Sequence, residues 1–237
     1  MISLFFIPGE GFWPSLLAAA ALTGVILLGV AATLLVSRLL SATLLRGMPS
    51  AFALELPPYR RPQVGRVLVR SILDRTLFVL GRAAAVAAPA GLVIWLMANV
   101  TLGDATLLQR CAGLLDPLGR LLGMDGVILL AFILGFPANE IVLPIIIMAY
   151  LSAGSILEME STAQLRALLV QNGWTWATAV SVILFSLMHW PCSTTCLTIR
   201  KETGSLRWTA LAALIPTAAG MLLCLLFTAA VRLLGLA

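Results

Sequence analysis

Two stretches of this 237-residue chain set groups capable of chemistry inside otherwise apolar sequence. One is Gly135-Phe136-Pro137-Ala138-Asn139-Glu140. The other is His189-Trp190-Pro191-Cys192-Ser193-Thr194-Thr195-Cys196. Each contains a proline, which lacks a backbone donor and breaks a helix, so carbonyls are freed that lipid cannot satisfy. A carboxylate, an imidazole and two thiols in such surroundings are expensive to keep and mark an ion or substrate path.

Asn139 and Glu140 allow two readings. Asn139 can cap a half-helix starting at Glu140, with the carboxylate in the first turn at the positive end of the dipole. Alternatively, unwound carbonyls and Glu140 offer oxygen ligands to a cation near the membrane midplane. Phe136 on one side and Ile141, Val142 and Leu143 on the other favour the second reading, because a carboxylate is costly among them.

His189 is the only histidine, and a lone histidine is more often structural than a ligand. However, His189, Cys192 and Cys196 are spaced i, i+3, i+7, which predicts that they project towards one helix face. Imidazole and thiolate suit Fe²⁺, Zn²⁺ or Cu(I) rather than Mg²⁺ or Ca²⁺. The plainer alternative for cysteines is packing as small hydrophobes, which fits Cys111 and Cys224. Ser193, Thr194 and Thr195 either bond carbonyls four residues back or line a wet cavity. Met148 and Met188 read as packing.

With 61% hydrophobic and 11% charged residues, the chain reads as an integral membrane protein. Spans of roughly 20 apolar residues, the length needed to cross about 30 Å of hydrocarbon, recur along it. They are expected at 12–36, 83–100, 174–199 and 208–234, with kinks or breaks at Pro89, Pro191 and Pro216. Residues 101–125 read as interfacial or partly re-entrant, and 153–172 as a polar connector. Eight of fifteen basic residues lie between Arg38 and Arg82, the positive-inside signature of a cytoplasmic loop rather than a nucleic-acid footprint.

The centre of that loop, Glu55-Leu56-Pro57-Pro58-Tyr59-Arg60, must be extended, and 65–82 is expected to be an amphipathic helix on the membrane surface. Residues 126–152 either cross once or enter and leave as a hairpin. The hairpin keeps Arg200, Lys201 and Arg207 on the same side as the first basic loop, and is the expected form. No signal peptide, disulfide framework or GxxxxGK[ST] phosphate loop is visible.

At its two breaks the chain resembles the C-terminal membrane portion of FeoB-type ferrous iron transporters. The resemblance rests on Gly135 through Pro144, on His189 through Thr195, and on Thr198-Ile199-Arg200-Lys201-Glu202-Thr203-Gly204-Ser205. Glu55 through Arg60 also looks like the connector between that family's two membrane halves. It implies an all-α, polytopic membrane bundle with broken or re-entrant helices, of a gate type that is nucleoside-transporter-like.

The implied organisation is a helix from the end of the first half (1–46), a basic connector (47–82) and a gate domain (83–237). The resemblance further implies a multi-pass protein of the bacterial cytoplasmic (inner) membrane that moves Fe²⁺ as cargo and holds no permanent cofactor. The expected metal ligands are Glu140, His189, Cys192 and Cys196, with Asn139, Ser193, Thr194 and Thr195 lining the path. The GTP-binding domain and most of a first gate half are not recognised. The expected partners are therefore membrane lipid and a separate GTPase or first-gate subunit, or a second copy, with no nucleic acid.

Rival readings are a non-transporting scaffold subunit, a gate-type transporter of nucleosides, and a membrane metalloenzyme. A nucleoside site would need several amides, hydroxyls and stacking aromatics, which one asparagine, three hydroxyls and few aromatics fit poorly. The enzyme reading lacks an HExxH pair, and one histidine leaves a catalytic metal under-coordinated.

Overall fold

The structure is a computed structural model that describes residues 5–6, 11–43, 46, 64–70, 73, 76–155 and 161–235. The chain divides into two compact units, Ala19–Arg82 and Met1–Ala18 with Ala83–Ala237. The proline-rich connector at Glu55 through Arg60 lies outside the described residues.

Helix α1 is Phe12–Ala42 and has no buried residue. Its two threonines are satisfied locally: the Thr23 and Thr33 hydroxyls each donate to the carbonyl four residues back at 2.8 Å. That is the usual fate of hydroxyls on a helix that meets lipid. Helix α2 is Val64–Arg70; of the amphipathic helix expected over 65–82, residues 71–72 and 74–75 lie outside the described residues. Helix α3, Phe78–Asn99, begins before the expected Ala83 and runs through Pro89 as a helix.

The stretch 101–125, expected to be interfacial or partly re-entrant, holds two short strands and a helix. Strands β1 (Thr101–Leu102) and β2 (Ala105–Thr106) pair antiparallel about Gly103 and Asp104. Helix α4, Leu107–Leu121, follows from a capping box in which Thr106 and Gln109 satisfy each other's backbone N–H groups. A tight turn then leads into α5, Gly126–Leu134, at 109° to α4. Glycine is required at this crossing, because a Cβ on Gly126 would overlap the Ala112 carbonyl oxygen and lie 2.7 Å from the Asp116 nitrogen.

Helix α5 is apolar all round, and Ile128, Leu129, Leu130, Ala131 and Phe132 are all buried, as befits a central element. A 3-10 turn at Asn139–Ile141 leads into α6, Val142–Tyr150. The Tyr150 hydroxyl at the end of α6 donates to the carboxylate of Asp125, which caps the start of α5. The segment therefore returns to the end it entered from, and it is a hairpin.

Trp174 Nε1 donates to the Tyr150 oxygen at 2.8 Å, tying the hairpin base to the start of the next long element. Tyr150→Phe removes two linked hydrogen bonds and leaves the Trp174 donor unpaired. It is expected to cost about 1–3 kcal/mol, read as a lowered Tm in detergent.

Helix α7, Thr162–Gln171, occupies part of the stretch read as a connector. Helices α8 (Trp176–Met188) and α9 (Ser193–Thr203) form one broken span, and α10 (Leu206–Leu233) packs against both. Among the described residues, four helices or broken helices are long and apolar enough to cross a membrane: Phe12–Ala42, Val79–Asn99, Trp176–Thr203 and Leu206–Leu233. The fold is an all-α, polytopic bundle. Cysteine labelling checks the polarity: Ser155→Cys and Ser205→Cys should label from opposite faces of the membrane, since Trp176–Thr203 lies between them.

Candidate metal path at two facing helix breaks

The two stretches singled out in sequence meet. The Ser193 N–H donates to the Phe136 carbonyl at 2.9 Å, and the Ser193 hydroxyl lies 3.4 Å from the Pro137 carbonyl. The hairpin tip thus docks on the break in the α8–α9 span. That break lies between 13 helical residues on one side and 11 on the other, so the meeting point is near the middle of the span. The carbonyls are available because residues 135–138 lie outside any helix, and Pro137 and Pro191 lack the N–H that would carry a helix ladder through either break.

His189 closes α8 in extended conformation (φ −70°, ψ 175°), and Cys192 opens α9 as its N-cap (φ −60°, ψ 159°). The expectation that His189, Cys192 and Cys196 share one helix face is therefore overturned, because residues 189–192 are not helical and only Cys196 lies within a helix. The His189 ring sits among aromatics, with centroids 5.2 Å from Phe132 and 6.1 Å from Phe185. Its Nδ1 is 2.9 Å from the Ser186 carbonyl. With the proton on Nδ1, the Nε2 lone pair is free, and Nε2 is buried without a partner.

Cys192 Sγ lies 3.2 Å from the Thr194 hydroxyl and 3.1 Å from that of Thr195. Two hydroxyls converging on a sulfur at the amino end of a helix suit a negatively charged ligand atom. Neither hydroxyl bonds back along the helix. Cys196 differs: its Sγ donates to the Pro191 carbonyl at 3.5 Å, as a neutral thiol does.

Asn139 is the first residue of the 3-10 turn rather than its cap. The cap position is Ala138, with no side-chain hydrogen bond, so the capped-kink reading fails. Asn139 and Glu140 are exposed at the hairpin tip. Among the described residues, no three His, Cys, Asp or Glu side chains converge closely enough to hold a metal ion. The structure brings Cys192, Ser193, Thr194 and Thr195 together beside the Phe136 and Pro137 carbonyls, and leaves Glu140 outside that cluster.

Phe132, Phe185 and the Ser186 carbonyl orient His189 and were not foreseen. Phe185 is four residues before His189, a helical spacing that signals it. The packing expectation for methionine holds: Met148 is buried, and Met188 abuts Gly220, where a Cβ would come within 2.9 Å of the Met188 Cβ. Cys224 is fully buried.

The ferrous iron transport protein B C terminus family matches residues 22–74, and the gate family, described as nucleoside recognition, matches residues 80–206. The chain belongs to the gate family, in the form found in FeoB-type transporters. A Staphylococcus aureus protein named Fe(2+) transporter FeoB is 30% identical over 210 residues, covering 84% of this chain and 30% of that protein. The Campylobacter jejuni protein of the same name is 26% identical over 212 residues, covering 84% and 34%. The Leptospira interrogans one is 25% identical over 215 residues, covering 80% and 30%. The chain thus spans about a third of the length of these FeoB relatives. No solved structure matches it.

Proposed function

We propose that this chain is a membrane part of a ferrous iron uptake system of the bacterial inner membrane, with its metal path where the two broken elements meet. The observation that carries the reading is the latch from Ser193 to the Phe136 and Pro137 carbonyls. It sets oxygen and sulfur donors side by side in mid-span, in a chain whose relatives are named Fe(2+) transporters.

Cys192 is the leading ligand, because the Thr194 and Thr195 hydroxyls support charge on its sulfur. His189 Nε2 and Cys196 are next, each needing a rotation or a small movement of the break to reach a common ion. Glu140, with Asn139 beside it, sits at the hairpin tip and neutralises a cation arriving there. Thiolate and imidazole select Fe²⁺ over Mg²⁺ and Ca²⁺. A two- or three-ligand part site of this kind is completed by another gate half or a second copy, and the energy comes from a separate GTPase or from the membrane potential. That potential supplies about 2.3 kcal/mol per charge per 100 mV.

The rival is a scaffold that supports a partner without conducting ions. Fe²⁺ uptake by cells that depend on this chain separates the two. Glu140→Gln should lower uptake several-fold while leaving the amount of membrane-inserted protein unchanged. Unaltered uptake would favour the scaffold. The family description raises nucleosides, but the facing breaks offer thiols and hydroxyls with Asn139 as their one amide, and labelled uridine should not accumulate.

A further inference from the structure

A second polar site lies at the far end of α8 from the break. There the end of α4, the turn before α5, the turn before α8 and the last turns of α10 enclose a cavity of about 260 Å³. We propose that this cavity binds a phosphate oxyanion, presented either by a phospholipid headgroup or as free phosphate.

The charge is right for an anion. Arg120 and Arg232 both line the cavity. Arg120 is paired with Asp116 at 2.7 Å. Arg232 donates through Nη2 to the Arg120 carbonyl at 2.5 Å and has no carboxylate partner among the described residues. That bond uses one of the five N–H donors of a guanidinium, so a fork remains that fits a phosphate. Asp125 also lies in the wall, but its two oxygens already accept from the Ile128 N–H and the Tyr150 hydroxyl.

The amino end of α8 faces the same space. Thr175 caps it and satisfies the N–H of Thr178. The other first-turn N–H groups are left for a ligand or water.

An independent observation is a hydroxyl with nothing to bond. Thr228 lines the cavity, is only 7% exposed, and its Oγ1 has no partner. Ser181 Oγ, fully buried, is unpartnered as well. Both hydroxyls face Gly123, where a Cβ would lie 2.6 Å from Ser181 Oγ and closer still to Thr228 Oγ1. Buried polar atoms in folded proteins are paired, and a turn of the Thr228 side chain, which lines the cavity, lets its hydroxyl donate to an oxyanion there.

The volume falls below the about 300–1,000 Å³ of small-molecule pockets, which suits an inorganic ion or one headgroup phosphate. The cavity sits at the ends of two spanning elements, Trp176–Thr203 and Leu206–Leu233, and the ends of spans are where lipid headgroups lie.

The test uses the full chain in dodecyl maltoside without phosphate. Tm is followed as sodium phosphate is added against sodium chloride of equal ionic strength. A second titration adds phosphatidylglycerol to the micelles against diacylglycerol of the same chains. A saturable rise with phosphatidylglycerol alone assigns a headgroup, and a rise with phosphate assigns the free ion. In either case the half-saturating concentration should increase at least tenfold in Arg232→Gln and in Thr228→Val. Arg232→Lys, which keeps the charge and loses the fork, serves if Arg232→Gln does not fold. No rise with either addition, or a rise unchanged in the variants, overturns the proposal.

Discussion

Gly126→Ala is expected to prevent the re-entrant hairpin from seating, with a stability loss at or above the top of the about 1–3 kcal/mol range for overpacking. The reason is geometric. The new methyl would overlap the Ala112 carbonyl oxygen and crowd the Asp116 nitrogen, both backbone atoms of α4. A flexible side chain can swing away from an added methyl, but a helix backbone cannot.

Relief therefore requires α4 to move as a whole. That movement would break the bond from the Gly126 N–H to Asp116 at 3.2 Å and disturb the Asp125 cap beside it. Gly113→Ala is the control, because it lies on α4, the other helix of the crossing, with nothing within 4 Å of the new Cβ. It should keep or slightly raise Tm, since alanine is favoured over glycine in a helix by about 1 kcal/mol. Equal stability of the two variants would show that α4 and α5 do not cross as described.

The second large effect concerns the metal. Cys192→Ser is expected to weaken Fe²⁺ or Co²⁺ binding on the order of 100-fold, the upper end of what even second-shell changes cost. Cys196→Ser should weaken it less. The asymmetry follows from what surrounds each sulfur. Cys192 is supported by two hydroxyls at a helix start, an arrangement that favours charge on Sγ.

Cys196 instead donates its proton to the Pro191 carbonyl, and it must give up that bond before it can ligate. Thr194→Val with Thr195→Val should reproduce part of the Cys192→Ser loss, about tenfold, without removing any ligand. Anaerobic titration of the four proteins, read by metal absorption, checks the order. Equal losses for the two cysteines would contradict it.

Much of this arrangement was legible in the sequence, for physical reasons that can be named. The hairpin at 126–152 followed from loop charge: Arg200, Lys201 and Arg207 share a side with the first basic loop only if that segment does not cross. The breaks followed from Pro137 and Pro191. The details of the breaks were not legible, because helical spacing holds only while the helix lasts. His189 and Cys192 fall on the two non-helical residues that flank the gap, so their i, i+3 relation carries no common face.

Asn139 was a plausible cap by residue type, yet the turn starts at Asn139 itself and the cap position falls on Ala138. The short strands around Gly103 and Asp104 had a turn signal that the neighbouring leucines obscured. The crossing at Gly126 and the latch from Ser193 to Phe136 are non-local contacts, and no periodicity in one segment encodes its partner.

The facing breaks are proposed to form a metal site with thiolate character. The most direct measurement is an anaerobic titration of the purified chain with Co²⁺, read at the thiolate-to-metal charge-transfer absorption. A Cys192→Ser, Cys196→Ser double variant runs beside it. A saturable band in the native chain that is lost in the double variant is the predicted result. A native chain that shows no band at saturating Co²⁺, or a band that survives in the double variant, would mean that these cysteines do not bind the metal.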